Sequence, residues 1–467
     1  MYRKEIEGFI DSHREEMIED ICTLCRINSE KMPYVEGKPY GEGPFQALQA
    51  ALGMAEGYGF SIRNYDNYVG TADLNDKERQ LDILAHLDVV PAGEGWTETK
   101  PFEPVVKDGK LFGRGTADDK GPAVAALYAM RAVKELGIPL NKNVRLILGT
   151  DEECGSSDIV NYYDKEDEAP MTFSPDAEFP VINIEKGRLE GHFHASFQAS
   201  EAMPRLVKVE AGIKANVVPG KARAVVEGID LKTLEAAAEA VEKETGISFV
   251  LEGDLPVMTV TAQGEGAHAS TPQEGKNALT GLLVYLTRLP FAECPQMDMV
   301  KNLLKLFPHG DTCGKAAGIS MEDELSGALT LAFSMLTVGA DGLEGVFDSR
   351  CPICATEESV LGVVKQAMAD QGLTLENDSM IPPHHVDGNS HFVRTLLSVY
   401  EDYTGLEGCC QATGGGTYVH SLKNGVAYGA ALPGTDNRMH GADEFAVVDE
   451  LVLSAKIFAQ VIVELCS

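Results

Sequence analysis

Residues 143–157 read NVRLILGTDEECGSS. The first eight make a short, nearly continuous apolar run, the length and composition of a strand buried on both faces. The next three, Asp151, Glu152 and Glu153, are consecutive acids. Like charges side by side repel, and taking them out of water is costly unless a positive charge compensates. The plain reading of such a triplet is a solvated loop. Its place after a strand-like run opens a second reading, because ligands of an open α/β sheet bind beyond the carboxyl ends of the strands.

The same pattern recurs on both sides. Residues 81–86, LDILAH, make a strand candidate ending in His86, with Asp88 two residues on. Residues 121–137, GPAVAALYAMRAVKELG, predict a helix stopped by Gly137 and Pro139. The short run MTFS, 171–174, precedes Asp176. Residues 1–65 read as helices with a loop. This rhythm is that of an α/β domain with a buried, largely parallel sheet. Near residue 186 the texture changes: RLEGHFHASFQ, KARAVVEGID and PVMTVTAQG alternate like half-buried antiparallel strands, with helical stretches such as 231–246 between them. After MIPPHHVDG, 380–388, the first texture resumes. The expected architecture is therefore an α/β domain of residues 1–185 and 381–467. An α+β insertion, residues 186–380, interrupts it and is long enough for two similar halves.

Bulk properties narrow the function. A chain of 467 residues is too long for one ordinary core. Its net charge of −33 argues against nucleic acid or an anionic membrane surface as partner. The start, MYRKEIEGFIDSHREEMIEDI, lacks the apolar core of a signal peptide. The apolar tail from Phe445 to Cys466 carries Asp449, Glu450, Lys456 and Glu464 and reads as an amphipathic helix rather than a membrane span. The expectation is a cytoplasmic protein. The ten cysteines form no disulfide framework. The C-x-x-C pairs Cys22/Cys25 and Cys351/Cys354 could make a thiolate metal site or a redox pair, but read better as buried free thiols.

Five clusters carry metal-ligand chemistry. His86 and Asp88 end a strand; a histidine ligand usually needs a carboxylate behind it to fix its tautomer and ring. In GRGTADDKG, 113–121, glycines bracket Asp118 and Asp119 before the long helix. Capping of that helix accounts for one aspartate, hardly for the cluster. Glu152 and Glu153, Asp176 in FSPDAEFP, and His440 in MHGADE complete the set. A shared group of carboxylates and histidines without thiolates is the makeup of a two-metal hydrolytic site.

These motifs, in this order, resemble the co-catalytic zinc metallopeptidase family of carboxypeptidase G, acetylornithine deacetylase and carnosinase. The stretches 91–122, 173–187 and 414–429 look closest to its bacterial dipeptidases of the dipeptidase V kind. The resemblance covers essentially the whole chain. It implies a zinc-peptidase-like catalytic domain with a mixed central sheet, residues 1–185 and 381–467, and an inserted α+β lid domain, residues 186–380. It further implies that His86 and Asp176 hold one ion, Glu153 and His440 the other, that Asp118 bridges them, that Asp88 orients His86, and that Glu152 is the general base. In the lid, His268 is implied as the group that stabilises the transition state. Asn216, Arg350 and the glycines Gly414, Gly415 and Gly416 would bind substrate, Arg350 gripping a free C-terminal carboxylate. The implied cofactors are two divalent ions, zinc first, manganese or cobalt as alternatives. The implied substrate is a dipeptide or very short peptide. An N-acyl-amino-acid deacylase or a carboxypeptidase of the same family, and from another class a noncatalytic metal-binding protein, are the competing readings. A doubled lid would favour a monomer. Ala442 and His420 depart from the residues relatives often carry at those positions.

Overall fold

The computed structural model describes residues 2–467, which divide into two compact units. The first comprises Met1–Ile184, His385–Gln411 and Gly416–Ser467; the second, Glu185–His384 and Ala412–Gly415.

At the centre of the first unit, strands Asn143–Gly149, Arg79–His86, Met171–Ser174 and Gly425–Ala427 lie side by side and parallel. Antiparallel strands flank them, Val69–Asp73 and Ser61–Tyr65 on one side, Val181–Glu185 on the other. The sheet is thus mixed, as its edges differ from its parallel core. The central strands are buried along their lengths, which is why they read as continuous apolar runs rather than alternating ones. In register His86 lies opposite Gly149, so the carboxyl ends of these two strands are level. Whatever follows His86, Gly149 and Ser174 therefore emerges at one end of the sheet.

Helices Lys120–Glu135 and Val448–Cys466 pack on each other and against the sheet. The tail departs from the expected amphipathic helix only at its start; from Val448 on it is that helix, with Asp449, Glu450, Lys456 and Glu464 all short of full burial. Phe445–Val447 is a short strand paired with Lys110–Phe112, and the other faces of the helix behind it are buried. Its charges are accommodated singly: Asp449 pairs with Arg14, Lys456 with Asp11, and Glu450 accepts from the Leu432 amide and the Thr435 hydroxyl. Among the described residues no helix is long and apolar enough to cross a membrane.

One buried group inside this core gives a pH signature. Asp82, in the middle of its strand, is wholly buried, with Arg79 Nε 3.5 Å from one oxygen. Burial pushes its carboxyl up to about 7, against the pull of Arg79 and Arg145. The fold favours the neutral acid, so this contribution to stability is complete below the ordinary carboxyl range and is lost as pH rises towards 7. Asp82→Asn should remove that loss. The variant's melting temperature relative to wild type should climb between about pH 4 and about pH 7, by the equivalent of at most about 4 kcal/mol. A pH-independent difference would show that Asp82 does not titrate in this range.

The second unit is an eight-stranded antiparallel sheet with helices Leu231–Thr245, Ala278–Arg288, Pro295–Leu306 and Val363–Asp370. Its strand order runs 248–254, 257–263, 221–227, 205–211, 330–338, 342–351, 187–196, 374–375. The halves on either side of the central pair match. Each holds a hairpin with a bulge in its first strand, between Leu206 and Lys208 or between Phe333 and Met335. In each, a helix and then an edge strand follow. The strand next to that edge comes last in one half, Val257–Gln263, and first in the other, Gly187–Ser196.

Candidate active site

His86 is wholly buried at the end of its strand. Its Nδ1 lies 3.0 Å from the Asp88 carbonyl oxygen, which assigns the proton to that nitrogen and leaves the Nε2 lone pair facing acids. Nε2 stands 3.0 Å from Asp118 Oδ1 and 3.6 Å from Asp176 Oδ2. On the other side of Asp118, Oδ2 is 3.0 Å from His440 Nε2, which is itself 3.4 Å from Glu153 Oε2. Two groups result, His86/Asp118/Asp176 and Asp118/Glu153/His440, each with its donor atoms within 4.8 Å of one another. They share Asp118, which turns one oxygen to each.

The electrostatics describe a site short of positive charge. Burial, then repulsion from Asp118, pushes the Asp176 carboxyl up to about 7. Burial also raises Glu153, and raises Glu152 well above the carboxylate range. Burial opposes the ionised form of Asp118 too, but its bonds to His440 and His86 hold it far below that range. Those bonds lift His440 to about 10. Glu153 Oε1 is buried without a hydrogen-bond partner. Carboxylate and imidazole donors around an unsatisfied buried oxygen fit zinc, manganese or cobalt. Among the described residues, neither such group contains a cysteine. Cys22, Cys25 and Cys351 are buried free thiols, with Cys25 pushed up to about 12 by burial; Cys354 is exposed.

The acidic triplet forms a single turn of 3-10 helix after its strand. Four consecutive amides of this turn are held by two carboxylates. Thr150 and Asp151 donate to Asp158 Oδ2 at 2.6 and 3.0 Å. Glu152 and Glu153 donate to the two oxygens of Asp88, both at 3.1 Å. Asp88 therefore supports His86 chiefly through its backbone carbonyl, while its side chain fixes the backbone of the two glutamates. Asp151 is buried and binds Lys31 Nζ and the Ser157 hydroxyl, both at 2.6 Å. Asp119 stands at the N-cap of the long helix without a capping bond; its Oδ2 accepts the His86 amide at 3.1 Å. Sequence reasoning singled out none of Asp158, Tyr418, Arg114 and Glu444. Tyr418 donates to Asp158 at 2.5 Å, and Glu444 binds the GRGTADD loop. The last two sit inside quoted motifs, so a charged residue in a glycine turn and an acid following the histidine were available signals.

The second unit gathers the other candidates. Val217–Val218 pairs with Ala267–His268, which sets Asn216 beside His268 on one small ribbon. The exposed His268 ring makes a 2.6 Å contact with the Ser270 hydroxyl. Gly414 lies against Ser270, where a Cβ would come within 2.6 Å of the serine Cβ, so a larger residue is excluded. Gly415 donates to the Thr413 hydroxyl, whereas Gly416 belongs to the first unit.

Arg350 is buried rather than freely presented. Its Nε and one terminal nitrogen bind Asp348 at 2.6 and 2.9 Å, and the other terminal nitrogen donates to the Gly414 carbonyl at 2.6 Å. Of a guanidinium's five N–H groups, this leaves one on each terminal nitrogen. Asp348 is fully buried, with Arg188 as its other cation at 3.2 Å. Arg350→Ala should therefore cost about 3 kcal/mol of stability in chemical denaturation, by stranding that charge. A loss below about 1 kcal/mol would show that Arg188 suffices.

A thiolate-free ring of acids and histidines beyond a parallel sheet defines a hydrolase of the metallopeptidase class. Residues 83–464 match peptidase family M20/M25/M40, and the chain belongs to that family. It is accordingly a peptide-bond hydrolase. The Beta-Ala-Xaa dipeptidase of Lactobacillus delbrueckii subsp. lactis is 36% identical over 465 residues, covering 97% of each chain. YtjP of Bacillus subtilis (strain 168) is 35% identical over 461 residues, again covering 97% of each. Human carnosine dipeptidase 1 shares the fold, with a TM-score of 0.61 at 15% identity over 100% of this chain and 99% of that one.

Proposed function

We propose that this chain is a metal-dependent dipeptidase using two divalent ions and Glu152 as general base. The observation that carries the reading is the shared Asp118, one oxygen towards His86 and the other towards His440. His86 and Asp176 would complete one ion's ligands, Glu153 and His440 the other's. Bound there, zinc, manganese or cobalt would polarise the scissile carbonyl and lower the pKa of the attacking water. Glu152 takes the proton of that water as its oxygen bonds to the carbonyl carbon. It then delivers the proton to the amide nitrogen as the C–N bond breaks. Asp88 keeps the base in place by holding its backbone amide.

His268 donates a hydrogen bond to the developing oxyanion. Asn216, the glycines 414–416 and the two uncommitted N–H groups of Arg350 bind the substrate, the last its free carboxylate. Such a grip favours short peptides. The name of the Lactobacillus relative supports the dipeptide reading.

The test is a panel of dipeptides, tripeptides and N-acyl amino acids, each assayed with zinc, manganese and cobalt. Dipeptides should give the highest kcat/KM with at least one ion. Faster turnover of N-acyl amino acids would make the chain a deacylase. No turnover of any class would leave it a metal-binding protein.

A further inference from the structure

Two elements far apart in sequence must be brought to a fixed separation if Asp118 and His440 are to share an ion. One is the glycine loop 113–118, the other the segment 437–447. His440 cannot be set by its own packing. Its side chain is 60% exposed, and its backbone lies at φ 61°, a left-handed conformation uncommon outside glycine. Arg438 and Asp443 nearby share that conformation, so the segment must be held by its bonds to neighbouring elements.

Those bonds converge on one buried ion pair. Glu444 is wholly buried, and its Oε1 accepts from the amides of Gly115, Ala117 and Asp118 at 3.0, 3.1 and 3.3 Å. Its Oε2 accepts from Arg114 at 2.5 Å, and its carbonyl oxygen accepts the Gly113 amide at 3.0 Å. Arg114, 1% exposed, donates from its second terminal nitrogen to the Gly441 carbonyl at 3.1 Å, the residue after His440. Gly115, at φ 85°, is in a conformation that suits glycine, and its amide is one of those turned to Glu444. One carboxylate thus grips the backbone of Asp118 while its partner cation grips the backbone beside His440. Asp443 adds an outer tie, accepting from the Thr97 amide and hydroxyl at 2.7 and 2.6 Å.

We propose that Arg114 and Glu444 are a positioning pair that sets the separation of Asp118 and His440, and with it the affinity for the ion held by Asp118, Glu153 and His440. This rests on the two-ion reading above. Neither residue touches an ion or the substrate. Both act through backbone, the kind of outer support whose loss weakens metal binding tenfold to a hundredfold.

The experiment is zinc titration of the metal-stripped full chain, by calorimetry with elemental analysis after dialysis. Wild type should take up two zinc ions per chain. Glu444→Gln should weaken one of them about tenfold or more, the same ion that His440→Ala loses, and leave the other within about twofold. Activity at limiting zinc should fall in step and recover at excess zinc, while a general folding defect would weaken both ions together. Both ions bound as in wild type, or both weakened equally, would overturn the proposal. If Glu444→Gln does not fold, Arg114→Lys serves, because one ammonium cannot span both Glu444 and Gly441; the same two outcomes decide it. A wild-type chain that binds fewer than two zinc ions would overturn the two-ion reading, and this inference with it.

Discussion

Glu152→Gln should fold, keep its ions and lose about a thousandfold in kcat. The substitution keeps the size of the side chain and deletes its basicity. Glu152 is not a member of either group of candidate ion ligands, so ion content by elemental analysis should match wild type. KM should change little, because the lost interaction belongs to proton transfer and not to ground-state binding. A variant that keeps more than about a tenth of wild-type turnover would remove Glu152 from the role of base and turn attention to its neighbour. Loss of ions along with activity would make Glu152 a ligand instead.

Removing the ions should have an effect at least as large. Dialysis against a chelator should abolish turnover, and stoichiometric zinc, manganese or cobalt should restore it. Stability should follow. A ligand that binds the folded chain and not the unfolded one adds about 2.7 kcal/mol at a hundred times its dissociation constant. The stripped protein should therefore melt at a lower temperature, and the difference should grow with free zinc. The cause is visible in the site: the acids at Asp118, Asp176, Glu152 and Glu153 crowd two imidazoles, and a carboxylate oxygen of Glu153 is buried unsatisfied. Full activity after exhaustive chelation would exclude an ion from the reaction.

The fold class and the candidate ligands were legible for the same reason. A strand buried on both faces has to be apolar throughout, so LDILAH and NVRLILG announced themselves, and so did the acids and histidine that end them. Alternation in 187–196 and 221–227 marked strands with one face exposed, and with them the change of architecture. What a single segment cannot reveal is its neighbours. The helix Val448–Cys466 carries its charges on one stripe short of full burial, as expected, but nothing in the tail tells that Phe445–Val447 ahead of it pairs as a strand with Lys110–Phe112. Nor does anything in VFDSRCP tell that Asp348, two residues before Arg350, takes part of its guanidinium and that only two N–H groups stay uncommitted.

The amino-acid sequence alone determined the type of the long central elements, the order of the two textures and the residue types at the strand ends. These are local properties, set by backbone propensity and by the period of burial. Only the tertiary structure decided how the ends meet. Asp118 turns one oxygen to His86, at the end of a parallel strand, and the other to His440, and a buried carboxylate, Glu444, binds the Asp118 amide from a segment more than three hundred residues away. It also decided what holds the acidic triplet. Asp88 and Asp158 bind its four amides in pairs, and this depends on hydrogen-bond geometry between chain segments, which no spacing of residues along the chain encodes.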